Sequence, residues 1–228
     1  WYALLLPFRK IGYSILTVHD VNCLFKDKPG LSPRSWLKWI GKKLLTRRVN
    51  AFNTVSDTVV PYLRQQARKT QPVYAIPGAV YEQEKAASSI LDEIRIVVPG
   101  SIDSRRRDYH AVLKLAALVK AHPVHICLLG GGNTAYAKDI WQQCRMAGNS
   151  RLAWYETEVV SQAEFDRQLD AAHFIWVPSV VKTTICGNIP ETYGITKSSG
   201  NIFDIIKHAR PFFAPESLVI PEVLQDSC

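Results

Sequence analysis

Four stretches of this 228-residue chain carry residue types that polar chemistry needs, and each follows an apolar run of strand length. The first is Thr17-Val18-His19-Asp20. A histidine at a strand end can donate a hydrogen bond or take up charge near neutral pH, although a satisfied structural histidine looks the same. The second is Gly100-Ser101-Ile102-Asp103 followed by Ser104, Arg105, Arg106 and Arg107. Consecutive arginines offer planar guanidinium forks suited to a diphosphate, and the competing account is a solvated charged loop. The third, Leu129-Gly130-Gly131-Gly132-Asn133, lets a ligand approach bare backbone before a helix start, or simply makes a tight turn. The fourth is Pro178-Ser179, then Pro190-Glu191-Thr192-Tyr193-Gly194-Ile195-Thr196-Lys197-Ser198-Ser199-Gly200. Here a carboxylate precedes a glycine-containing helix start. Glu191 could accept sugar hydroxyls while amides near Ile195 and Thr196 hold phosphate, and plain capping is the alternative.

These stretches gain meaning from the elements that carry them. Strands are expected at 15–18, 51–55, 73–76, 94–98, 124–129, 152–155, 174–177 and 211–214. Helices are expected at 33–47, from Ser56 to Lys69, and at 108–120, 135–147, 162–171 and 196–208. Runs such as ICLLG and FIWVP are apolar without alternation, as parallel strands buried on both faces must be. Strand and helix alternate on both sides of a polar segment, residues 81–92, that reads as a linker after the Pro77-Gly78 turn. The pattern predicts an α/β protein with two parallel-sheet domains, residues 1–88 and 89–228. In doubly wound sheets ligands sit beyond the carboxyl ends of the strands, which is where all four stretches lie.

Composition narrows the class. The chain is 47% hydrophobic and 21% charged, and no apolar run approaches the ~20 residues of a membrane span. It lacks an initiator Met, and Trp1–Phe8 has no signal-peptide pattern, so the sequence reads as a piece truncated at both ends. Residues 1–90 hold 14 basic and 5 acidic side chains, whereas residues 91–228 hold 14 and 15. A basic excess confined to the first part suits an anionic partner or a solvated face. Residues 35–45 mix Trp36, Leu37, Trp39 and Ile40 with lysines, so this helix either packs with a basic outer face or lies on an anionic membrane. The basic residues lack the aromatic interleaving of nucleic-acid binders. Five cysteines without CxxC or zinc spacing read as reduced thiols in a cytoplasmic protein.

The ordered set of segments resembles the retaining glycosyltransferases of the GT-B class, in particular its large family four. ILTVHD is similar to the family's strand ending in His-Asp, and NTVSDTVVPYL to its strand-Ser-helix segment. YAIPGAV resembles the turn leading out of the first domain, and IRIVVPGSIDSRRRDY the glycine-and-basic loop opening the donor domain. VHICLLGGG, AAHFIWVPSV, ETYGITKSSG and HARPFFAPE look like the family's later strands and its carboxylate-glycine segment. The resemblance implies two Rossmann-like doubly wound domains facing a cleft, the first incomplete and the second lacking its C-terminal end.

It implies roles too. Arg106 would neutralise the departing diphosphate, with Arg107 beside it, Glu191 would contact the donor sugar, and His19 would stand near the reacting carbon. Gly100, Gly130, Ser179, Tyr193, Gly194, Ile195, Thr196 and Ser199 would line the donor site. Ser199 occupies the place of a second family glutamate, and Ser101 that of a common arginine. The implied donor is a nucleotide diphosphate sugar, with no metal or other cofactor, and the acceptor a saccharide or lipid-linked sugar at the inner membrane face. A non-catalytic nucleotide or glycan binder and a GT-B sugar-nucleotide epimerase are the alternatives.

Overall fold

The computed structural model describes residues 12–77, 92–185 and 187–228. The expectations for residues 1–8 and the 81–91 linker lie outside the described residues. The chain divides into two compact units, and both are parallel-sheet α/β structures, as the alternating pattern predicts.

In the first unit β1 (Ile15–Thr17), β2 (Ala51–Thr54) and β3 (Val73–Ala75) form a parallel sheet in that order. Leu16 lies beside Phe52, and Phe52 beside Val73. The helices are α1 (Val21–Phe25), α2 (Pro33–Arg48) and α3 (Val60–Gln66). Ser32 caps α2 by accepting from the Ser35 amide, and Pro33 at the first helical position lacks the N–H that would otherwise go unpaired. Val18, Val21, Phe52, Val59 and Leu63 close the core. The helix expected from Ser56 opens instead with a 3-10 turn at Asp57–Val59. Ser56 makes no cap bond; its hydroxyl pairs with that of Thr58.

Residues 182–199 and 219–221 also pack with this unit, whereas the sequence pattern assigns everything after residue 88 to the second. The cause is an unanticipated antiparallel hairpin, β8 (Lys182–Ile185) and β9 (Ile189–Thr192), with β9 set against α1.

The second unit holds β4 (Ile94–Pro99), β5 (Val124–Leu129), β6 (Leu152–Trp154), β7 (Phe174–Trp176) and β10 (Phe212–Phe213). They form one parallel sheet in the order β10-β7-β4-β5-β6, so the winding reverses between β4 and β7. The helices are α4 (Tyr109–Leu118), α5 (Ala135–Ala147), α6 (Gln162–Asp170) and α7 (Asn201–His208). On one face Val98, Ile126, Leu128 and Leu152 meet Tyr109, Val112, Ile140 and Trp141 of α4 and α5. Burying each such large apolar side chain contributes roughly 1.5–3 kcal/mol. Asp108, Thr134 and Ser161 cap α4, α5 and α6 through their side-chain oxygens. The helix expected from Thr196 begins only at Asn201, five residues later.

Cys23 is disulfide-bonded, which corrects the expectation of reduced thiols throughout. Cys127, Cys144 and Cys228 are free. No helix among the described residues is long and apolar enough to cross a membrane.

Candidate functional site

The winding reverses between β4 and β7, and it is beyond the carboxyl ends of the strands at such a switch point that doubly wound sheets bind ligands. Gly100 leaves β4 with φ +102°, a conformation that L side chains rarely adopt, and a Cβ there would lie 2.0 Å from Arg107 Nη2. The absent side chain is the space in which the Arg107 guanidinium lies. Arg107 Nη1 donates to the Ser101 carbonyl at 3.2 Å, and Nη2 to Asn201 Oδ1 at 2.9 Å. Its Nε is buried and donates to nothing among the described residues. Asn201 opens α7 and is itself anchored by donating Nδ2 to Pro99 O. A short bridge between Arg107 and Ser179 ties the arginine loop to the end of β7. The notch is therefore cationic and assembled from Gly100, Arg107, Ser179 and Asn201.

Its electrostatics are set by burial. Asp204, on α7, hydrogen-bonds Asn201 Nδ2 at 3.3 Å. Burial pushes the Asp204 carboxyl up, against the Asn201 bond and the charges of His208 and Arg107 that hold it down. Burial likewise lifts the Tyr109 hydroxyl to about 12, which keeps it a donor to Gly100 O at 2.8 Å.

Arg106, the arginine that the resemblance favours, points elsewhere. Its side chain is 46% exposed, and Nε faces Asp103 Oδ2 at 3.5 Å, while Arg105 also pairs with Asp103. Gly130 serves packing: a Cβ there would lie 1.9 Å from the Gly100 carbonyl. Asn201 escaped the sequence reading, although an Asn opening the apolar run NIFDII was a visible helix-start signal.

The remaining candidates belong to the first unit. Glu191 on β9 is 1% exposed. Its Oε1 accepts from the Cys23 amide at 2.7 Å, and its Oε2 from Thr196 Oγ1 at 2.5 Å. Burial pushes its carboxyl above the usual range, outweighing these two bonds; Asp20 adds to the rise and Lys197 opposes it. Lys197 in turn pairs with Asp20 and lies over the Tyr193 ring at 5.4 Å. The amides expected to meet phosphate are engaged by the chain itself. Those of Ile195 and Thr196 donate to Thr192 O, and that of Gly194 to Lys197 O. The reason is the turn at 192–197, with Gly194 at φ +79° and its Cα hydrogen side against Val219 O. With no helix start at this place, no free amides are presented. Ser199 is buried.

His19 is exposed and lines a cavity of about 310 Å³ within the first unit. Leu16, Leu24 and Leu45 make it mostly apolar, and Lys38 and Lys42 bring positive charge. Lys42 is held by Asp27 at 2.5 Å and by the Cys23 carbonyl. Among the described residues no group of three or more His, Cys, Asp and Glu side chains is arranged to hold a metal ion.

No protein-family model and no curated protein matches this sequence. Solved structures do. TarM matches with a TM-score of 0.55 and 11% identity over 93% of this chain and 39% of its own. A mutant TarM of S. aureus, in complex with Fondaparinux, alpha-GlcNAc-glycerol and UDP, matches with a TM-score of 0.52 and 12% identity over 94% and 42%. Anabaena HepE in complex with UDP-glucose matches with a TM-score of 0.55 and 14% identity over 90% and 54%. The chain thus spans about half or less of these relatives. At such identities the likeness is one of fold, and the fold is that of the GT-B glycosyltransferases.

Proposed function

We propose that this chain is the nucleotide-binding core of a glycosyltransferase that moves a sugar from a nucleotide diphosphate sugar to a saccharide or lipid-linked acceptor, with retention at the anomeric carbon. The observation that supports this most is the Arg107 guanidinium seated in the space left by Gly100 at the switch point of the second sheet. Transfer breaks the bond between the anomeric carbon and the diphosphate oxygen, leaving negative charge on the diphosphate. A fixed guanidinium in a partly dry notch offsets that charge without reorganising. Arg107 takes this role. Within the first unit, the cavity beside His19 takes the acceptor. Leucines with two lysines suit an apolar, phosphate-bearing carrier there, in line with cell-envelope polysaccharide or glycolipid synthesis. On α2, Trp36, Leu37 and Ile40 are exposed among basic residues, which suits peripheral contact with an anionic cytoplasmic leaflet.

A panel of UDP-, GDP- and ADP-sugars tests the reading by thermal shift. One UDP donor is expected to raise the melting temperature of the chain by mass action, and Arg107→Gln to remove the rise. A wild-type chain that no nucleotide sugar stabilises would refute it. A second reading, a binder without turnover, is favoured by Ser199 in the place of a glutamate and by the hydrogen bonds already occupying Glu191. Stabilisation by a donor with neither transfer nor hydrolysis would select it.

A further inference from the structure

The second sheet carries another cavity, at the opposite end of the strands from the Arg107 notch. It holds about 140 Å³, close to the ~150 Å³ cavity size that accepts benzene. Its floor is built from Val97, Cys127 and Ala153, which the register sets side by side on β4, β5 and β6. Burial, with the Glu164 carboxylate nearby, pushes the Cys127 thiol up to about 12, so the floor carries no charge. One wall is Gln168 of α6, whose amide donates to Tyr155 and Glu164.

Two residues before each floor position stand Arg95 on β4, His125 on β5 and Arg151, which immediately precedes β6. Parallel strands lie ~4.8 Å apart, so Arg95 and Arg151 flank the mouth at a backbone separation of about 10 Å. The Arg95 guanidinium is exposed and has no partner among the described residues. Arg151 makes one long bond, Nη1 to Lys120 O at 3.4 Å, and His125 faces Glu93 at 3.3 Å. Both guanidiniums retain most of their donors for a guest.

We propose that this cavity is a second ligand site, taking a small carboxylate with a flat or branched apolar body: the body rests on Val97, Cys127 and Ala153, and the carboxylate meets Arg95 and Arg151. The site is separate from the proposed donor notch. From Arg95 to Gly100 the chain runs five residues along β4, about 16 Å at strand rise. The donor reading can fail without affecting it.

Benzoate is the probe, titrated into the 228-residue chain and followed by saturation-transfer NMR and calorimetry. Saturable one-to-one binding is expected, stronger than that of benzyl alcohol, which lacks the charge, and of acetate, which lacks the ring. Arg95→Gln combined with Arg151→Gln should weaken it at least ~10-fold, the equivalent of about 1.4 kcal/mol. Ala153→Phe, at an exposed position on an edge strand, should fill the floor and abolish binding while leaving cooperative thermal unfolding in place. Absence of saturable benzoate binding would overturn the proposal. So would equal binding of acetate or benzyl alcohol, or unchanged binding in folded variants.

Discussion

Replacing Glu191 separates what its burial does for stability from what its charge does for chemistry. The Cys23 amide and the Thr196 hydroxyl both donate to this carboxylate. In Glu191→Ala the Cys23 N–H is left in a buried place without an acceptor, which costs about 1–3 kcal/mol. The Thr196 hydroxyl still reaches Thr192 O at 3.4 Å and adds little to that loss. Glu191→Gln keeps an acceptor for Cys23 and removes the ionisation. Because burial raises the folded-state pKa, the stabilising form of Glu191 is the protonated one. Its contribution is complete below the unfolded pKa near 4.5 and is lost as pH climbs through the folded value. The stability of Glu191→Gln relative to wild type should therefore rise as pH climbs from the unfolded pKa through the raised folded one. Urea unfolding of the three proteins at several pH values measures both effects. A flat or falling difference, or an alanine variant as stable as wild type, would refute the electrostatic account. Donor-dependent turnover adds the functional arm: a glutamine variant that folds well and does not transfer identifies the charge as the chemical requirement.

Two further outcomes follow from the same geometry. Gly100→Ala forces an L residue into φ +102° and drives a methyl into the Arg107 guanidinium, so a stability loss of about 1–3 kcal/mol and weaker UDP binding are expected together in calorimetry. For α2, co-sedimentation with anionic vesicles should fall on raising salt and in the Trp36→Ser, Ile40→Ser double variant; equal pelleting with neutral vesicles would count against a charged membrane face.

Much of the second unit could be read from sequence because parallel strands buried on both faces appear as unbroken apolar runs. Helix α5 was legible to the residue, since Thr134 caps it and Gly148, at φ +52°, ends it in the left-handed region. The hairpin of β8 and β9 was hidden because KTTICGNIPET is short and largely polar, with Pro190 inside it. The helix start after Gly194 misled for a related reason. Helical spacing in ITKSSGNIFDII extends back to Ile195, yet Thr192 O gathers the amides of Ile195, Thr196 and Lys197 into a closed turn before any helix begins. At the candidate site the arginine run was visible, but the choice among three arginines depends on which one Gly100 makes room for. That choice is tertiary. A count of cysteines likewise could not reveal the bonded state of Cys23.

The strand order also has a consequence for how the notch comes into being. The strand that starts the second sheet, β4, pairs with β7, joining Ile96 to Phe174, and the Arg107 anchor waits for Asn201. Such distant partners meet only after long loops have closed, with the entropy cost and slow kinetics that this brings. On a ribosome, the β4–β5 pair can zip up early while its arginine loop stays unseated until residues 130–201 have also emerged. Anion affinity should therefore be among the last properties that a nascent chain acquires.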